Sequence, residues 1–230
     1  MNTSEILSFL SKLRENNTRE WFSTQKEYCK TLQKNFEELV QSLINGIASF
    51  DPDMKGLDAK NCMFRLYRDT RFSPDKTPYK THFGAYMGAK GGRNSLRADY
   101  YFHIEPGGSF VSCGVYIPES DILKALRRAI YDNIDEWLEI TGKPFSDFFP
   151  EMFGGDDKLK KMPAGFPKEW AYGELLKYKS YAFGHDLSDD FFSRKEIVKP
   201  ILEIYKAALP VNRFLNFTID EVLKDRKGGM

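Results

Sequence analysis

The middle of the sequence contains four short runs that are rich in aromatic or alternating apolar residues. They cover residues 62–67, 83–88, 99–105 and 110–116. Alternation with a period of two over such lengths is typical of β-strands, and the turn-forming residues between the runs favour antiparallel connections. Pro-Gly-Gly-Ser at 106–109 predicts a hairpin between the last two strands. These runs therefore predict an antiparallel sheet of four strands, and a fifth strand is predicted near 181–185.

Helical patterns surround the predicted strands. Apolar residues at three- and four-residue steps predict a long helix that is capped at Asn17 and ends before Asp51-Pro52. Its apolar face is expected to include Tyr28 and Trp21, with Trp21 anchoring the helix on the sheet. Further helices are predicted at 122–140, 170–176, 196–208 and 211–223, and Pro200 is expected to start or kink one of them. We therefore expect an α+β fold with a mostly antiparallel sheet of four or five strands, packed by a long N-terminal helix and C-terminal helices.

The composition is that of a chain that can bury a core without disulfides or a structural metal. Of the 230 residues, 41% are hydrophobic and 15% aromatic, and no linker or repeat divides them, so we expect one domain over 1–230. The three cysteines, Cys29, Cys62 and Cys113, are too few and too far apart for a disulfide framework or a thiolate zinc module. We therefore expect a reducing, cytoplasmic compartment. Since no apolar run reaches about 18 residues, no membrane association is expected.

Charge is balanced overall but segregated along the chain. The net charge is +1, which argues against a uniformly basic nucleic-acid binder. Residues 60–97 nevertheless carry nine basic and two acidic side chains, whereas residues 119–157 carry four basic and ten acidic ones. This segregation would allow the basic region to dock on the acidic region, either within one chain or across a homodimer.

The densest group of charged residues lies at 65–82, which reads RLYRDTRFSPDKTPYKTH. Pro74 and Pro78 favour a rigid loop. Guanidinium forks held on a rigid loop suit a phosphate, a sulfate or a carboxylate, and the surplus of three positive charges over 65–80 exceeds what local pairing can neutralise. We therefore predict binding of a phosphorylated or otherwise anionic small molecule, with or without catalysis. The predicted ligand-binding residues are Arg65, Arg68, Arg71, Lys76, Tyr79 and Lys80.

Two alternatives remain open for this loop. In the first, its arginines pair with Asp69, Asp75 or Glu105 and hold the loop against the sheet, as part of a structural or protein-interaction module. In the second, the loop contacts nucleic acid, and Tyr67, Phe72 and Tyr79 stack on bases.

A second polar group is predicted on the third strand. Alternation places Tyr101, His103 and Glu105 on one face and apolar residues on the other. If that face also carries Arg65, His103 becomes a candidate catalytic proton carrier, and Asp69 is the other candidate. The three histidines lack the spacing of a helical metal site, so neither a metal site nor a cofactor is predicted.

Two segments carry a resemblance to a known family. Residues 16–22 read NNTREWF, and residues 65–80 read RLYRDTRFSPDKTPYK. They resemble the NNxREWF and RxxRDxRFSxDKxPYK signatures of an uncharacterised family of bacterial and fungal proteins, catalogued as a domain of unknown function. Further similarity at 175–180 and 209–216 extends the resemblance over nearly the whole chain. It implies one shared domain and a site at the RxxRD segment, and it brings no known activity.

Overall fold

The computed structural model describes residues 3–153, 155 and 158–228. The α-helices in this part of the chain are α1 (Ser4–Glu15), α2 (Arg19–Ile47), α3 (Ser120–Asp132), α4 (Ile134–Ile140), α5 (Phe145–Phe148), α6 (Gly173–Leu176) and α7 (Val198–Gly228). The strands are β1 (Phe83–Met87), β2 (Asp99–Ile104), β3 (Ser109–Val115) and β4 (Tyr181–Leu187). They form one antiparallel sheet in the order β1-β2-β3-β4. The predicted α+β class is therefore confirmed.

The chain divides into two compact units. The first unit takes its residues from 1–94, 101–111 and 186–203, and the second takes its residues from 95–100, 112–185 and 204–230. The expectation of a single domain stays a prediction.

The predicted hairpin is confirmed, but the predicted strand at 62–67 is wrong. Residues 106–108 join β2 to β3, and Gly107 takes a positive φ of 70°, which costs glycine little. In place of a strand, 62–67 forms two isolated bridges, from Met63 to Ala85 and from Tyr67 to Tyr79. A bend at residues 81 and 82 lies between the two partners, so the backbone pairing changes before a continuous ladder forms.

The N-cap of helix α2 lies one residue later than predicted. Thr18, not Asn17, is the N-cap, and its hydroxyl accepts a hydrogen bond from the Trp21 backbone N–H. The Asn17 amide instead pairs with the backbone of Tyr79: Nδ2 donates to the Tyr79 carbonyl at 2.9 Å, and Oδ1 accepts from the Tyr79 N–H at 3.1 Å. The two segments that carry the family resemblance, 16–22 and 65–80, are therefore joined by hydrogen bonds.

The buried face of α2 differs from the predicted one. Phe22 is 6% exposed and stacks on Tyr79 with 3.9 Å between ring centroids, whereas Trp21 is only partly buried and Tyr28 is 44% exposed. Further along, Phe36 lies against aromatic side chains of β1 and β2. The predicted packing of the long helix on the sheet is confirmed through Phe36. Near the start of the helix, Phe22 rather than Trp21 is the buried anchor, and it packs on the loop at Tyr79.

In the second unit, Asn212 and Asn216 of α7 bond to the backbone near the start of β2 and in β3. The Asn216 amide accepts from the Ala98 N–H and donates to the Ala98 carbonyl, both at 2.8 Å. Asn212 Oδ1 accepts from the Gly114 N–H at 2.9 Å. These bonds satisfy buried backbone groups that would otherwise be costly to remove from water.

The predicted break between helices at 196–208 and 211–223 is wrong, because α7 continues through Pro210. An interior proline costs a helix about 3 kcal/mol, and burial of the flanking side chains offsets this cost. The buried residues around Pro210 are Ala208, Val211, Leu215 and Ile219. Pro200 lies in the first turn of α7, where a proline is tolerated.

Two smaller differences concern the other predicted helices. The segment 122–140 is divided at Asn133 into α3 and α4, and the helix predicted at 170–176 begins only at Gly173. A turn closed by the hydrogen bond from the Gly173 N–H to the Trp170 carbonyl precedes it.

The different burial of two neighbouring aromatic residues leads to a test of stability. We expect Phe22→Ala to lower the free energy of unfolding by about 3 to 5 kcal/mol, as for other buried aromatic side chains. Trp21→Ala removes a larger but partly exposed ring, so its cost should be below about 2 kcal/mol. Chemical denaturation of both variants measures the difference. A larger loss for Trp21→Ala than for Phe22→Ala would contradict the anchor assigned here.

Candidate functional site

Much of the arginine-rich loop is engaged in contacts with itself. Arg68 pairs with Asp75 and also donates to the Thr77 hydroxyl. The Thr77 backbone N–H donates to the same carboxylate at 2.9 Å. The Thr77 backbone hydrogen bond, and after it the bond from Arg68, lowers the pKa of Asp75 to about 2. Asp75 is therefore charged at neutral pH and holds the loop closed.

Three other candidates in this segment also make internal contacts. Arg71 Nη2 lies 2.7 Å from Asp69 Oδ2, and Lys76 Nζ donates to the Thr70 carbonyl at 2.9 Å. Tyr79 is buried against α2. Asp69, the second candidate proton carrier, is thus held by an arginine of its own loop. The ligand-binding role of these residues and of Arg68 stays a prediction.

The two remaining candidates, Arg65 and Lys80, line an open groove of about 770 Å³ in the first unit. The cationic residues of its lining are Lys30, Lys34, Arg65, Lys80 and Arg93. Glu37 is the acidic residue among the described lining residues. The groove therefore brings together five positive charges from α2, the loop and the β1–β2 connection, with one negative charge.

Lys30 pairs with Glu27 at 2.8 Å, but two of the five cations have no partner among the described residues. Within the described part of the chain, Arg65 and Lys34 form neither an ion pair nor a hydrogen bond through their side chains. Burial, and after it the charge of Arg65, lowers the pKa of Lys80. Its ammonium lies 5.3 Å from the centre of the Phe64 ring. A negatively charged group between Arg65 and Lys80 would relieve their mutual repulsion.

Sequence reasoning missed Lys30, Lys34 and Arg93. The signal for the first two was present, because Lys26, Lys30 and Lys34 follow at four-residue steps and therefore lie on one side of α2. Their direction towards the loop could not be derived without knowing how α2 lies on the sheet.

The predicted polar face of β2 is confirmed, and its side chains form a hydrogen-bonded row. The Tyr101 hydroxyl lies 2.9 Å from His103 Nδ1, and His103 Nε2 lies 3.1 Å from Glu105 Oε2. The other Glu105 oxygen, Oε1, accepts from Thr81 at 2.9 Å and from Arg14 at 3.2 Å. The carboxylate is thereby held with one oxygen directed towards His103.

The antiparallel pairing of β1 with β2 adds His82 to this row. The rings of His82 and His103 are 4.4 Å apart. Two residues further along β1, a Cβ at Gly84 would lie 2.6 Å from the Tyr101 hydroxyl oxygen, so glycine leaves the space for that ring. Single ligand atoms of His82, His103 and Glu105 all lie within 4.8 Å of one another. Sequence reasoning missed His82 because it lies at the end of the basic loop, just before β1.

The electrostatics of this row keep both imidazoles neutral. Burial, and after it the proximity of His103, lowers the pKa of His82 to about 4. Burial also lowers the pKa of His103, although Glu105 opposes the shift. For Tyr101, burial followed by the Glu105 charge raises the pKa to about 12. Burial would raise the pKa of Glu105, but the hydrogen bonds from His103 and Thr81 outweigh it and lower that pKa.

These pKa shifts determine which atoms of the row carry hydrogens at neutral pH. Ionised Glu105 can only accept, so neutral His103 must carry its proton on Nε2 and donate it. Nδ1 then accepts from the Tyr101 hydroxyl. The row therefore runs as a chain of donors from Tyr101 through His103 to Glu105.

Comparison with known families shows where this chain belongs. It is a member of the family described as conserved hypothetical protein (DUF2461), whose model matches residues 5–214. Arg65, Lys80 and the row from His82 to Glu105 all lie inside the matched part. Searches of curated proteins and of solved structures give no significant match. In the described part of the chain, no helix has the length and apolar character needed to cross a membrane.

The depressed pKa of His82 predicts how the stability of the metal-free protein depends on pH. In the unfolded chain the imidazole takes up a proton near its ordinary pKa of about 6.5, but in the folded protein it does so only near pH 4. The unfolded state therefore binds more protons between these values, and stability should fall by about 2 kcal/mol as the pH drops from 6.5 to 4. Denaturation midpoints in the presence of a chelator measure this change. NMR titration of the His82 ring is the direct check, and an ordinary pKa near 6.5 would contradict the prediction.

Proposed function

We propose that this protein binds a small anionic molecule, such as a phosphorylated metabolite, in the groove lined by Arg65 and Lys80. The observation that carries the proposal is the collection of five cationic side chains around one open volume, with Glu37 as the acidic group of the described lining. The absence of a protein partner for Arg65 and Lys34 within the described residues supports it. A ligand would supply the missing negative charge.

The size and chemistry of the groove suit a metabolite-sized ligand. A volume of about 770 Å³ lies within the range of about 300 to 1,000 Å³ that is usual for small-molecule sites. The Arg65 guanidinium can donate two parallel hydrogen bonds to one phosphate or carboxylate group. Lys34 of α2 and Lys80 at the other end of the loop add point charges, so a ligand with more than one anionic group would meet several of them. Phe64 and Met63 in the lining provide apolar surface for the rest of such a molecule.

The predicted proton carriers remain outside this groove. Neither His103 nor Asp69 belongs to its described lining, and each is held by hydrogen bonds to other side chains. The proposal is therefore one of binding, and their catalytic role stays a prediction.

A cytoplasmic location is part of the same proposal. Cys29, Cys62 and Cys113 are buried and form no disulfide, as expected of a protein that works in a reducing compartment. The homodimer expected from the segregation of charge stays a prediction.

Calorimetric titration of the untagged chain with inorganic pyrophosphate tests the anion site. Arg65→Gln removes the guanidinium fork without removing a described ion pair. It should weaken binding by about 10- to 150-fold, because charge-assisted hydrogen bonds contribute about 1.5 to 3 kcal/mol each. Lys34→Gln should weaken binding in the same direction and by less, since it removes a single point charge. Thermal unfolding should leave the melting temperature of both variants within a few degrees of wild type.

Arg213→Gln is the matched control. Arg213 is an exposed residue of α7 in the second unit, and its substitution makes the same change in net charge. Pyrophosphate binding should therefore stay at the wild-type level. Equal weakening in Arg65→Gln and Arg213→Gln would show general charge attraction and contradict a site in the groove.

The same variants separate the groove from the alternatives for the loop. If Arg71→Gln weakens pyrophosphate binding as much as Arg65→Gln, the ligand lies at the exposed part of the loop and the groove proposal is wrong. If oligonucleotides bind far more tightly than pyrophosphate and affinity falls steeply with salt, the nucleic-acid alternative is favoured. Tyr67 and Phe72 are the exposed aromatic residues that could then stack on bases.

A further inference from the structure

His82, His103 and Glu105 bring two imidazoles and a carboxylate to one place in the first unit. His82 immediately precedes β1, His103 lies in β2, and Glu105 directly follows β2. One ligand atom from each lies within 4.8 Å of the other two. The three residues come from two neighbouring strands, so the backbone of the sheet holds them in position.

We propose that His82, His103 and Glu105 form a binding site for a divalent transition-metal ion of the Zn²⁺ type. The proposal goes beyond the anion groove and does not depend on it, because its three ligands are not among the described residues of that lining.

The donor set points to this class of metal. Two neutral imidazole nitrogens and one carboxylate oxygen suit Zn²⁺, Co²⁺ and Fe²⁺, whereas Mg²⁺ and Ca²⁺ prefer sites made of oxygen alone. The chain has three cysteines, Cys29, Cys62 and Cys113, and none of them belongs to the cluster. With ligand distances of about 2.0 to 2.2 Å, the donor atoms of a tetrahedral site are about 3.3 Å apart. The cluster therefore needs to contract by at most about 1.5 Å, and three protein ligands leave a coordination position for water.

The position of the His82 ring favours a metal site over a purely structural row of hydrogen bonds. The ring lies beside that of His103 but forms no hydrogen bond with any residue that the structure describes. Its ring nitrogens are not among the buried atoms that lack a partner in the described residues, so they are accessible to an ion from solvent. A bound ion would give a ring nitrogen of His82 a partner, whereas the hydrogen bonds from Tyr101 to Glu105 are complete without His82.

The surroundings of the cluster match the outer contacts that metal ligands need. Metal-binding histidines usually donate their second ring N–H to an oxygen. When an ion binds His103 at Nε2, the ring proton moves to Nδ1, and the Tyr101 hydroxyl, which can donate or accept, becomes the acceptor. Thr81 and Arg14 hold the far oxygen of Glu105, so that Oε2 can bind the ion in place of its hydrogen bond from His103. The histidine stays neutral, so no net proton is lost in this step.

Titration of the untagged, chelator-treated full chain with Zn²⁺ and Co²⁺ tests the site. We expect one ion per chain, with no comparable binding of Mg²⁺, and a visible absorption band for Co²⁺ that reports low coordination number. His82→Ala should weaken Zn²⁺ binding by more than about 100-fold, beyond the 10- to 100-fold that is typical of outer contacts. Tyr101→Phe should weaken it by about 10-fold, because it removes only the outer hydroxyl.

His185→Ala is the matched control, since His185 lies in the second unit and its Nδ1 is 2.8 Å from the Phe148 carbonyl oxygen. It should bind Zn²⁺ as wild type does. Glu105→Gln, which keeps the shape of the side chain, provides a second test in case His82→Ala lowers the melting temperature. No binding of Zn²⁺ or Co²⁺ to the wild-type chain at millimolar concentration would overturn the proposal. Unchanged affinity in folded Glu105→Gln, or loss of binding in His185→Ala alone, would overturn it as well.

Discussion

The antiparallel pairing of β1 with β2 determines which side chains can act together in the first unit. It turns residues about twenty positions apart into direct neighbours, so that His82 lies beside His103 and the Tyr101 ring crosses Gly84. It also ends the basic loop at the edge of the polar row, because Lys80 precedes β1 by only three residues. Had these strands paired in parallel, the two histidines would lie at opposite ends of the sheet.

The arginine-rich loop at 65–82 keeps part of its positive charge free because its two acidic residues pair with particular arginines. Asp75 neutralises Arg68, and Asp69 neutralises Arg71. Arg65 forms no ion pair with a described residue, and hydrogen bonds between the Asn17 side-chain amide and the Tyr79 backbone hold the end of the loop beside the start of α2. The salt-bridge alternative therefore describes Arg68 and Arg71, and the proposed anion site involves Arg65 of the same loop.

Local patterns were sufficient for the features that depend on one strand or one turn. Alternation predicted the polar face of Tyr101, His103 and Glu105, and the Pro-Gly-Gly-Ser turn predicted the hairpin. The cap of α2 was misplaced by one residue, because Asn17 and Thr18 can both cap a helix and only the fold shows that Asn17 is used by Tyr79.

The composition of the two candidate sites depended on contacts between elements. His82 could not be joined to His103 without knowing which strands are neighbours, and Lys30 and Lys34 could not be directed to the groove without the orientation of α2. Likewise, burial along one face of α7 outweighed the local effect of Pro210.

The close approach of the Tyr101 hydroxyl to Gly84 has a consequence for how sequences of this family can diverge. A methyl group at position 84 would meet an oxygen that is held by His103, so the ring cannot move aside without breaking that bond. A relative with a larger residue at position 84 would need a shorter side chain in place of the tyrosine. Substitutions at these two positions are therefore expected to be correlated, and each of the two residues limits the mutations that the other can accept.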